Sequence, residues 1–367
     1  MNHHAIHTHK ANKSSHGGDV YSEGLLKGTA LIDFSSNINP LGVPVTFTHH
    51  IEEGIKALNR YPDIQYRLLK ENLLSYLKDD FLTEKNIVLG NGAAEVIDLV
   101  ISCFKNILIV LPSFSEYVFN ADKWKCYIEY SYLDKDMELD YEDIFTKLLK
   151  CDAVILGNPN NPNGALVDKT KLKKILDFSE NNHKTVILDE AFIEFTGSSH
   201  NSFEDEIKKY NCIFIIRALT KFFALPGIRF GYGISNDVGL LSKIREKQNP
   251  WNINCFAELA VKYVLKDREY IIESLRWIHE EGNYLPQELE KISFIEKIFP
   301  TKANFILCKL KRITSKELYD FCLQRGIIIR DASNFATLDD RYVRFAIKGR
   351  DHNDCLLTLL HRMEEFS

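Results

Sequence analysis

Short apolar runs alternate with helical patterns along the middle of the chain. Five runs contain only apolar residues: Ile87–Leu89, Ile107–Leu111, Ala153–Leu156, Val186–Leu188 and Ile213–Ile216. Strands have this composition when helices cover both faces of a parallel sheet. Between the runs, apolar residues recur at helical spacing, as at Leu69, Leu73 and Leu77. The pattern therefore predicts an α/β fold whose large domain contains a mostly parallel, doubly wound sheet.

The pattern changes towards both ends of the chain. Residues 1–15 contain four histidines among polar residues, and we expect a disordered His-rich tail there. Residues 16–44 include a stretch dense in Asn, Pro and Gly, which predicts a shaped arm that contributes to the functional site and to the small domain. We expect the large domain to span residues 45–265. A smaller α+β domain is predicted over 266–367, where long helical patterns give way to short strands.

Composition and charge exclude several classes of function. The chain has 367 residues, of which 45% are hydrophobic and 26% are charged, as in ordinary globular proteins. A formal net charge of −5 gives no reason to expect a nucleic-acid partner. No apolar run reaches the length of a membrane span, and no signal peptide is predicted at the polar N-terminus. The eight cysteines contain no CxxC pair, so we expect reduced thiols in a cytoplasmic protein.

The His-rich tail is the one stretch whose composition suggests metal binding. It holds His3, His4, His7 and His9. Such tracts can bind metal ions, but no periodicity and no acidic partner accompany these histidines. We therefore predict no metal site.

Lys221 is the most unusual residue of the chain. It follows the apolar run Cys212–Ile216 and has apolar neighbours on its C-terminal side. Desolvation lowers the pKa of such a lysine and makes its amine a nucleophile toward a carbonyl. Pyridoxal 5'-phosphate is an aldehyde cofactor that uses this chemistry, and Thr220 and Arg229 would bind its phosphate. The alternative is a lysine that merely extends to solvent from a strand end.

Other polar or small residues follow the remaining apolar runs, where parallel sheets collect their ligands. Gly92 and Ala93 open a helix whose N-terminal amides can bind an anion. Phe114 could stack on a flat ring, and Asn161 could donate to the 3-oxygen of that ring. Asp189 could keep a pyridine nitrogen protonated, because an opposite charge about 4 Å away is worth roughly 4 kcal/mol at an effective dielectric near 20.

Two arginines interrupt apolar strands in the predicted small domain. Arg330 ends the run that begins at Ile327, and Arg344 lies within Tyr342–Ile347. A single arginine of this kind is usually a salt-bridged surface residue. Two at corresponding places predict a clamp for a doubly anionic substrate.

These motifs resemble those of the fold-type I enzymes that use pyridoxal phosphate, aminotransferase class I and II. Four further stretches are similar to the threonine-phosphate decarboxylase family of cobalamin biosynthesis: His16-Gly-Gly, Asp33-Phe-Ser-Ser-Asn-Ile-Asn-Pro-Leu-Gly, Arg60-Tyr-Pro-Asp and Leu219-Thr-Lys-Phe-Phe-Ala-Leu-Pro-Gly-Ile-Arg. The resemblance runs from about residue 15 to the C-terminus. Histidinol-phosphate aminotransferases share most of the cofactor residues but lack the His-Gly-Gly motif.

The resemblance implies roles for individual residues. Lys221 would bond the cofactor's aldehyde, Asp189 would face its ring nitrogen, and Asn161 would bind its 3-oxygen. Tyr61 would reach the cofactor phosphate of a neighbouring subunit, so that a homodimer shares its active sites. The substrate ligands would be His16, Asn39, Asn161, Arg330 and Arg344. Two positions depart from the wider class. Phe192 stands where Tyr is common in that class, and Ala218 stands where Ser is usual.

The function expected from the resemblance is decarboxylation of O-phospho-L-threonine, and also of O-phospho-L-serine if no pocket wall distinguishes one methyl group. A histidinol-phosphate-type aminotransferase is the alternative. A non-catalytic protein of the same fold, such as a regulator, is a second alternative. It would be indicated by the absence of lysine-bound cofactor.

Overall fold

The structure is a computed structural model that describes residues 17–77 and 79–365. Its strands are β1 Ile32–Asp33, β2 Ile87–Gly90, β3 Asn106–Leu111, β4 Tyr127–Tyr132, β5 Ala153–Gly157, β6 Thr185–Asp189, β7 Ile213–Ala218, β8 Gly231–Ser235, β9 Ile295–Ile298, β10 Phe305–Leu310, β11 Ile327–Ile328, β12 Arg330–Asp331 and β13 Tyr342–Ala346. Its α-helices are α1 Val20–Glu23, α2 Val45–His49, α3 Ile51–Ala57, α4 Arg67–Leu77, α5 Ala93–Ile101, α6 Glu116–Lys123, α7 Tyr141–Leu148, α8 Lys169–Asn181, α9 Val238–Lys247, α10 Cys255–Val264, α11 Arg268–Leu289, α12 Ser315–Leu323 and α13 Arg350–Glu364.

The central sheet has seven strands in the order β2-β8-β7-β6-β5-β3-β4. Strands β7, β6, β5, β3 and β4 are parallel to one another, whereas β8 is antiparallel to both of its neighbours. Every residue of β5, β6 and β7 is buried, as expected for strands covered on both faces. This confirms the predicted mostly parallel, doubly wound sheet. The five predicted strands are β2, β3, β5, β6 and β7.

Two strands of this sheet have no continuous apolar run. The sequence of β4, Tyr-Ile-Glu-Tyr-Ser-Tyr, mixes polar and aromatic residues because β4 lies at the edge of the sheet. Two of the five residues of β8 are glycine. A Cβ on Gly231 would lie 2.4 Å from the backbone nitrogen of Ala93, so this strand needs glycine where helix α5 approaches it.

The C-terminal part of the chain forms a second, four-stranded sheet in the order β12-β13-β10-β9. The prediction of one strand from Ile327 to Arg330 was wrong. The chain changes sheets at Ile329, so that β11 pairs in parallel with β1 while β12 pairs with β13. The pairing of β1 with β11 fastens the arm to this part of the molecule.

Side-chain caps define the starts of several helices. Asp168, Asp237 and Asp267 accept hydrogen bonds from backbone N–H groups in the first turns of α8, α9 and α11. Thr314 and Glu317 form a capping box at α12. In the two described ranges, no helix is both long and apolar enough to cross a membrane.

Candidate active site

A cavity of about 410 Å³ lies at the carboxyl ends of the central parallel strands. Side chains from the large sheet, from the arm and from the four-stranded sheet line it together. Nine predicted site residues are among them: Ala93, Phe114, Asn161, Asp189, Thr220, Lys221, Arg229, Arg330 and Arg344. The cavity therefore collects groups from strand ends that lie far apart in the sequence, as ligand sites in open α/β sheets do.

Lys221 lies three residues after the end of β7 and lines the cavity. Burial is the main cause that lowers its pKa to about 8, and the nearby charges of Arg344 and Arg229 lower it further. The Nζ atom is 6.0 Å from the centre of the Phe192 ring. A substantial fraction of the amine is neutral near physiological pH, which is the form that attacks a carbonyl.

Asp189 ends strand β6 with only 7% of its surface exposed. Its carboxylate accepts hydrogen bonds from the Tyr117 hydroxyl, at 2.7 Å, and from the Ala191 backbone N–H, at 3.1 Å. Burial raises the pKa of Asp189, and the charge of Glu190 adds to the rise. No basic side chain in the described part of the chain forms an ion pair with it. A cationic ring nitrogen placed in the cavity would supply the missing charge.

Tyr117 was not predicted as a site residue. It is 2% exposed, and burial raises the pKa of its hydroxyl well above the usual value, so it donates its proton to Asp189. Phe114, two residues before α6 begins, packs edge-on against it with ring centres 5.9 Å apart. No direct signal in the sequence pointed to Tyr117, because the turn that brings the two rings together forms only in the folded chain.

The start of helix α5 forms a cup for an anion. Gly92 precedes the helix with a φ of 83°, and a Cβ added there would lie 2.4 Å from the guanidinium of Arg229. Ala93 begins the helix, so its first backbone N–H groups point toward the same place. Thr220 lines the cavity from the other side. Glycine at residue 92 lets a positive side chain reach the positive end of the helix, an arrangement that suits a phosphate.

Arg330 and Arg344 line the cavity from the four-stranded sheet and face each other in register across β12 and β13. Arg344 is 5% exposed and donates hydrogen bonds to the side-chain oxygen of Asn161 and, at 3.0 Å, to the carbonyl oxygen of Ser35. Arg330 donates to the side-chain oxygen of Asn334 at 2.7 Å. Neither guanidinium has a carboxylate partner among the ion pairs of residues 17–77 and 79–365. The structure therefore brings the two predicted arginines together on the cavity, and their role as a clamp for a substrate anion stays a prediction.

Asn39 does not join the cavity. Its amide nitrogen donates to the Phe222 carbonyl oxygen at 2.8 Å and to the Ser274 hydroxyl at 2.7 Å, while its oxygen accepts from the backbone N–H of Leu41. All of its hydrogen-bonding groups are therefore used to hold the arm against the segment of Lys221. Its predicted role in substrate binding has no support from its position.

Asn37, which was not predicted as a site residue, lies on the cavity where Asn39 was expected. It lines the cavity, and its side-chain oxygen is buried without a hydrogen-bond partner in the described structure. A buried amide oxygen without a partner is costly, so a donor from a bound ligand would satisfy it. Both asparagines lie in one short Asn-rich stretch without a regular pattern, so the sequence could not separate Asn37 from Asn39.

Two predicted site residues lie elsewhere. Tyr61 is 77% exposed and packs on Trp251, with ring centres 4.8 Å apart. It does not line the cavity of its own chain, and its predicted place in a neighbouring subunit stays a prediction. His16 lies outside the described residues. Its neighbour Gly17 lines the cavity.

Comparison with known proteins identifies the family. Residues 29–356 match the family model for aminotransferase class I and II. The chain belongs to this family. A threonine-phosphate decarboxylase of Salmonella typhimurium strain LT2 is 32% identical over 357 residues, 95% of this chain and 96% of that protein. A protein of Caldanaerobacter subterraneus subsp. tengcongensis, provisionally named a threonine-phosphate decarboxylase, is 40% identical over 358 residues. The match covers 95% of this chain and 94% of that protein.

A solved structure points to the other activity found among family members. The crystal structure of a histidinol-phosphate aminotransferase from Clostridium acetobutylicum is 53% identical, with a TM-score of 0.90. The match covers 92% of this chain and 100% of the chain in that crystal structure. The comparisons thus agree on the family and leave two activities to be distinguished by substrate.

Pyridoxal 5'-phosphate is the cofactor of this family member, and the residues present fit it. The cup at Gly92 leaves room for an anion beside Arg229, which a Cβ would fill. Asp189 is a desolvated carboxylate that needs a cation, and Lys221 is an amine of lowered pKa on the same cavity. Asn161 and Phe114 line the space between these groups.

A buried cluster of charged residues lies next to the ends of strands β6 and β7. Arg217, on β7, forms ion pairs with Glu190 at 3.1 Å and with Glu204 at 2.8 Å. Glu190 also accepts from the Ser202 hydroxyl, at 2.7 Å. Glu194 lies in the same cluster, but one of its carboxylate oxygens is buried without a hydrogen-bond partner in the described structure. Burial raises the pKa of Glu194 to about 7, and the neighbouring carboxylates raise it while Arg217 lowers it.

Glu194 should make the protein less stable as pH rises. The folded state keeps the Glu194 proton up to about pH 7, whereas the unfolded chain releases it near the ordinary glutamate pKa of 4.5. The folded state binds more protons between these values, so stability falls through this window and the loss is complete above it, at on the order of 3 kcal/mol.

Replacing Glu194 with Gln should therefore raise the melting temperature at pH 8 and leave it nearly unchanged at pH 5. Melting curves of the holoenzyme at fixed concentration measure this, with the exposed Glu280→Gln as control. An equal shift at both pH values would contradict a raised pKa.

Proposed function

We propose that this protein decarboxylates O-phospho-L-threonine to (R)-1-amino-2-propanol phosphate and CO2 in the cytoplasm, as a step of cobamide biosynthesis. The observation that carries the proposal is the pair of arginines without carboxylate partners on the cofactor cavity. Such a pair suits a phosphate dianion. The relatives named for this activity, which align over 95% of the chain, support the choice of substrate.

The charges of the cavity favour loss of the substrate's carboxylate. The described basic side chains that line it are Lys221, Arg229, Arg330 and Arg344. If Arg229 holds the cofactor phosphate and the two clamp arginines hold the substrate phosphate, no arginine is left for the carboxylate. The carboxylate would then lie among apolar side chains such as Phe192. A desolvated carboxylate loses its charge when CO2 leaves, so this surrounding favours the bond cleavage.

The protein's own groups have separate tasks in this reaction. The cofactor supplies the aldehyde and the electron-accepting ring. Asp189 holds the proton of the ring nitrogen. Arg330 and Arg344 would bind the substrate's phosphate and so fix the direction of its carboxylate in the cavity. Lys221 Nζ, whose pKa is about 8, can hold a proton near neutral pH and return it to the substrate carbon after CO2 has left.

The substrate test compares the two activities directly. Holoenzyme incubated with O-phospho-L-threonine should release CO2 and the amino alcohol phosphate in equal amounts, without any keto acid. Histidinol phosphate with 2-oxoglutarate should give no glutamate. Glutamate formation from histidinol phosphate without CO2 release from phosphothreonine would instead favour the aminotransferase. Competition between phosphothreonine and phosphoserine in one reaction would measure how far the enzyme distinguishes the methyl group.

We also propose that two copies of the chain form a homodimer with shared active sites. Large apolar side chains are exposed between residues 41 and 68 and at Trp251. We call them the arm surface: Leu41, Val43, Val45, Ile51, Ile55, Leu58, Tyr61, Ile64, Leu68 and Trp251. Exposed apolar residues concentrated in one segment are typical of an interface. The partner's arm surface would cover them and bring Tyr61 to the partner's cofactor phosphate.

The arm surface can be tested with matched variants. Leu58→Glu should give a monomer in light scattering, because it places a charge in the interface. Ile272→Glu should leave the dimer intact, since Ile272 is equally exposed, 63% against 61%, but lies on helix α11. Dissociation by both variants, or by neither, would contradict this interface.

Tyr61→Phe should keep the dimer and weaken cofactor binding by about ten- to a hundredfold, the effect of one hydrogen bond to a charged group. Titration of the apoenzyme with pyridoxal phosphate measures this. Unchanged affinity in an intact dimer would remove Tyr61 from the cofactor site.

A further inference from the structure

The two clamp arginines are placed where their charges repel. Arg330 and Arg344 are directly opposite each other on antiparallel strands β12 and β13. Like charges in this position destabilise a strand pair. Across the described ranges, neither guanidinium forms an ion pair with a carboxylate. Some other feature must therefore keep both side chains at the cavity.

The hydrogen-bond partners of the two arginines are neutral. Arg344 bonds the side chain of Asn161 and the Ser35 carbonyl, and its Nε is buried without a partner in the described structure. Arg330 bonds the side chain of Asn334. Burial lowers the pKa of Arg344 to about 9 and that of Arg330 to about 10. Asp331 and Asp33 attract Arg330 and Arg344 only from beyond ion-pair distance, so the hydrogen-bond partners fix directions but do not neutralise either charge.

Phe335 contacts both charges with one ring. The guanidinium carbon of Arg330 lies 5.3 Å from the ring centre of Phe335, and that of Arg344 lies 5.9 Å from it. Phe335 is 6% exposed and lines the cavity beside the two arginines. The negative face of an aromatic ring attracts a cation within about 6 Å of its centre. A second ring, that of Phe305, contacts Arg344 at 5.0 Å, so Phe335 is the aromatic residue in the described structure that joins the pair.

We propose that Phe335 is a positioning residue that holds Arg330 and Arg344 together as a preformed site for the substrate's anionic group. A carboxylate in the same position would also bring the arginines together, but it would compete with the substrate for their hydrogen bonds. The aromatic ring attracts both cations without accepting a hydrogen bond from either, so it does not compete with the ligand for their N–H groups. The affinity for an anion then depends on an uncharged residue that makes no hydrogen bond to it. This inference deepens the proposed function, on which its choice of a phosphorylated substrate rests.

Removing the aromatic ring should weaken anion binding without altering the cofactor. In Phe335→Leu an apolar side chain remains, but the attraction for the two guanidinium groups is lost, so they must be brought together when the anion binds. We expect the dissociation constant of inorganic phosphate for the holoenzyme to rise about tenfold, which corresponds to about 1.4 kcal/mol. The KM for phosphothreonine should rise by a similar factor, with kcat within about twofold.

Two further variants separate this role from a loss of packing. Phe335→Tyr keeps the aromatic face and should retain wild-type phosphate affinity. Phe299→Leu changes a phenylalanine of the same small apolar cluster whose ring lies against Lys297, at 4.7 Å. It should lower the melting temperature and leave phosphate affinity unchanged. Calorimetry with inorganic phosphate measures the affinities, and the visible absorbance of the holoenzyme checks the cofactor.

Three results would overturn the proposal. They are wild-type holoenzyme that binds no phosphate, phosphate affinity unchanged in Phe335→Leu, and equal losses of affinity in Phe335→Leu and Phe299→Leu. Failure of the proposed function is a separate outcome. In that case phosphothreonine releases no CO2, whereas the phosphate affinities of the variants still follow the expected order.

Discussion

Replacing Lys221 with alanine should abolish both turnover and the visible absorbance of the lysine-bound cofactor. The substitution removes the amine whose pKa of about 8 lets it attack an aldehyde near neutral pH. It also removes the group placed to return a proton to the substrate. We expect kcat to fall by on the order of 10⁴-fold or more, since losses of this size follow removal of a nucleophile.

Lys348→Ala is the matched control for this experiment. Lys348 is another lysine whose pKa is lowered mainly by burial, and its Nζ donates to the Ser36 carbonyl at 3.2 Å. This variant should keep the absorbance of lysine-bound cofactor, because Lys348 does not line the cavity. Turnover that survives in Lys221→Ala would remove Lys221 from its proposed role. Loss of the absorbance in both variants would show that the effect is not specific to Lys221.

Replacing Asp189 with asparagine should have the second largest effect. A carboxylate about 4 Å from a ring cation is worth roughly 4 kcal/mol, so its loss should slow kcat by about a thousandfold. The amide has nearly the same shape, and melting curves should show that the protein still folds. The affinity of the apoenzyme for pyridoxal phosphate should fall as well, which titration measures independently of turnover.

Tyr117→Phe provides a graded comparison for Asp189→Asn. This substitution removes the 2.7 Å hydrogen bond to the Asp189 carboxylate but leaves the negative charge of that carboxylate in place. Losing one hydrogen bond to a charged group costs about 1.5–3 kcal/mol, so the expected effect on kcat is roughly ten- to a hundredfold. A larger loss in Tyr117→Phe than in Asp189→Asn would contradict the assignment of the ring-nitrogen charge to Asp189.

The parallel part of the fold was predictable because its strands are buried on both faces. Strands such as β6 carry a run of apolar residues that ends at Asp189. The two strands of the central sheet that were missed lack this property, since β4 is an edge strand and β8 contains glycines where α5 approaches. Their positions are set by tertiary packing, which leaves no periodic pattern in the sequence.

The candidate site was predictable where a residue type is unusual for its position. A lysine or a carboxylate at the end of a buried strand is costly, so Lys221 and Asp189 could be selected from the sequence. Asn37 and Phe335 could not. Asn37 and Asn39 differ only in their contacts in the folded chain, where Phe222 and Ser274 bind Asn39. Phe335 lies in a loop whose contacts join distant strands. Such contacts are properties of the folded chain.

The pairing of β1 with β11 determines when the active site can be completed during synthesis. Ile32 pairs with Ile327, so the arm segment that carries Asn37 must wait for a partner that is synthesised about 300 residues later. Lys221, Asp189 and the cup at Gly92 all precede that partner in the chain. At synthesis rates of about 5–20 residues per second, the interval between the two strands is roughly 15–60 s. The groups for the cofactor therefore leave the ribosome well before the substrate pocket can exist.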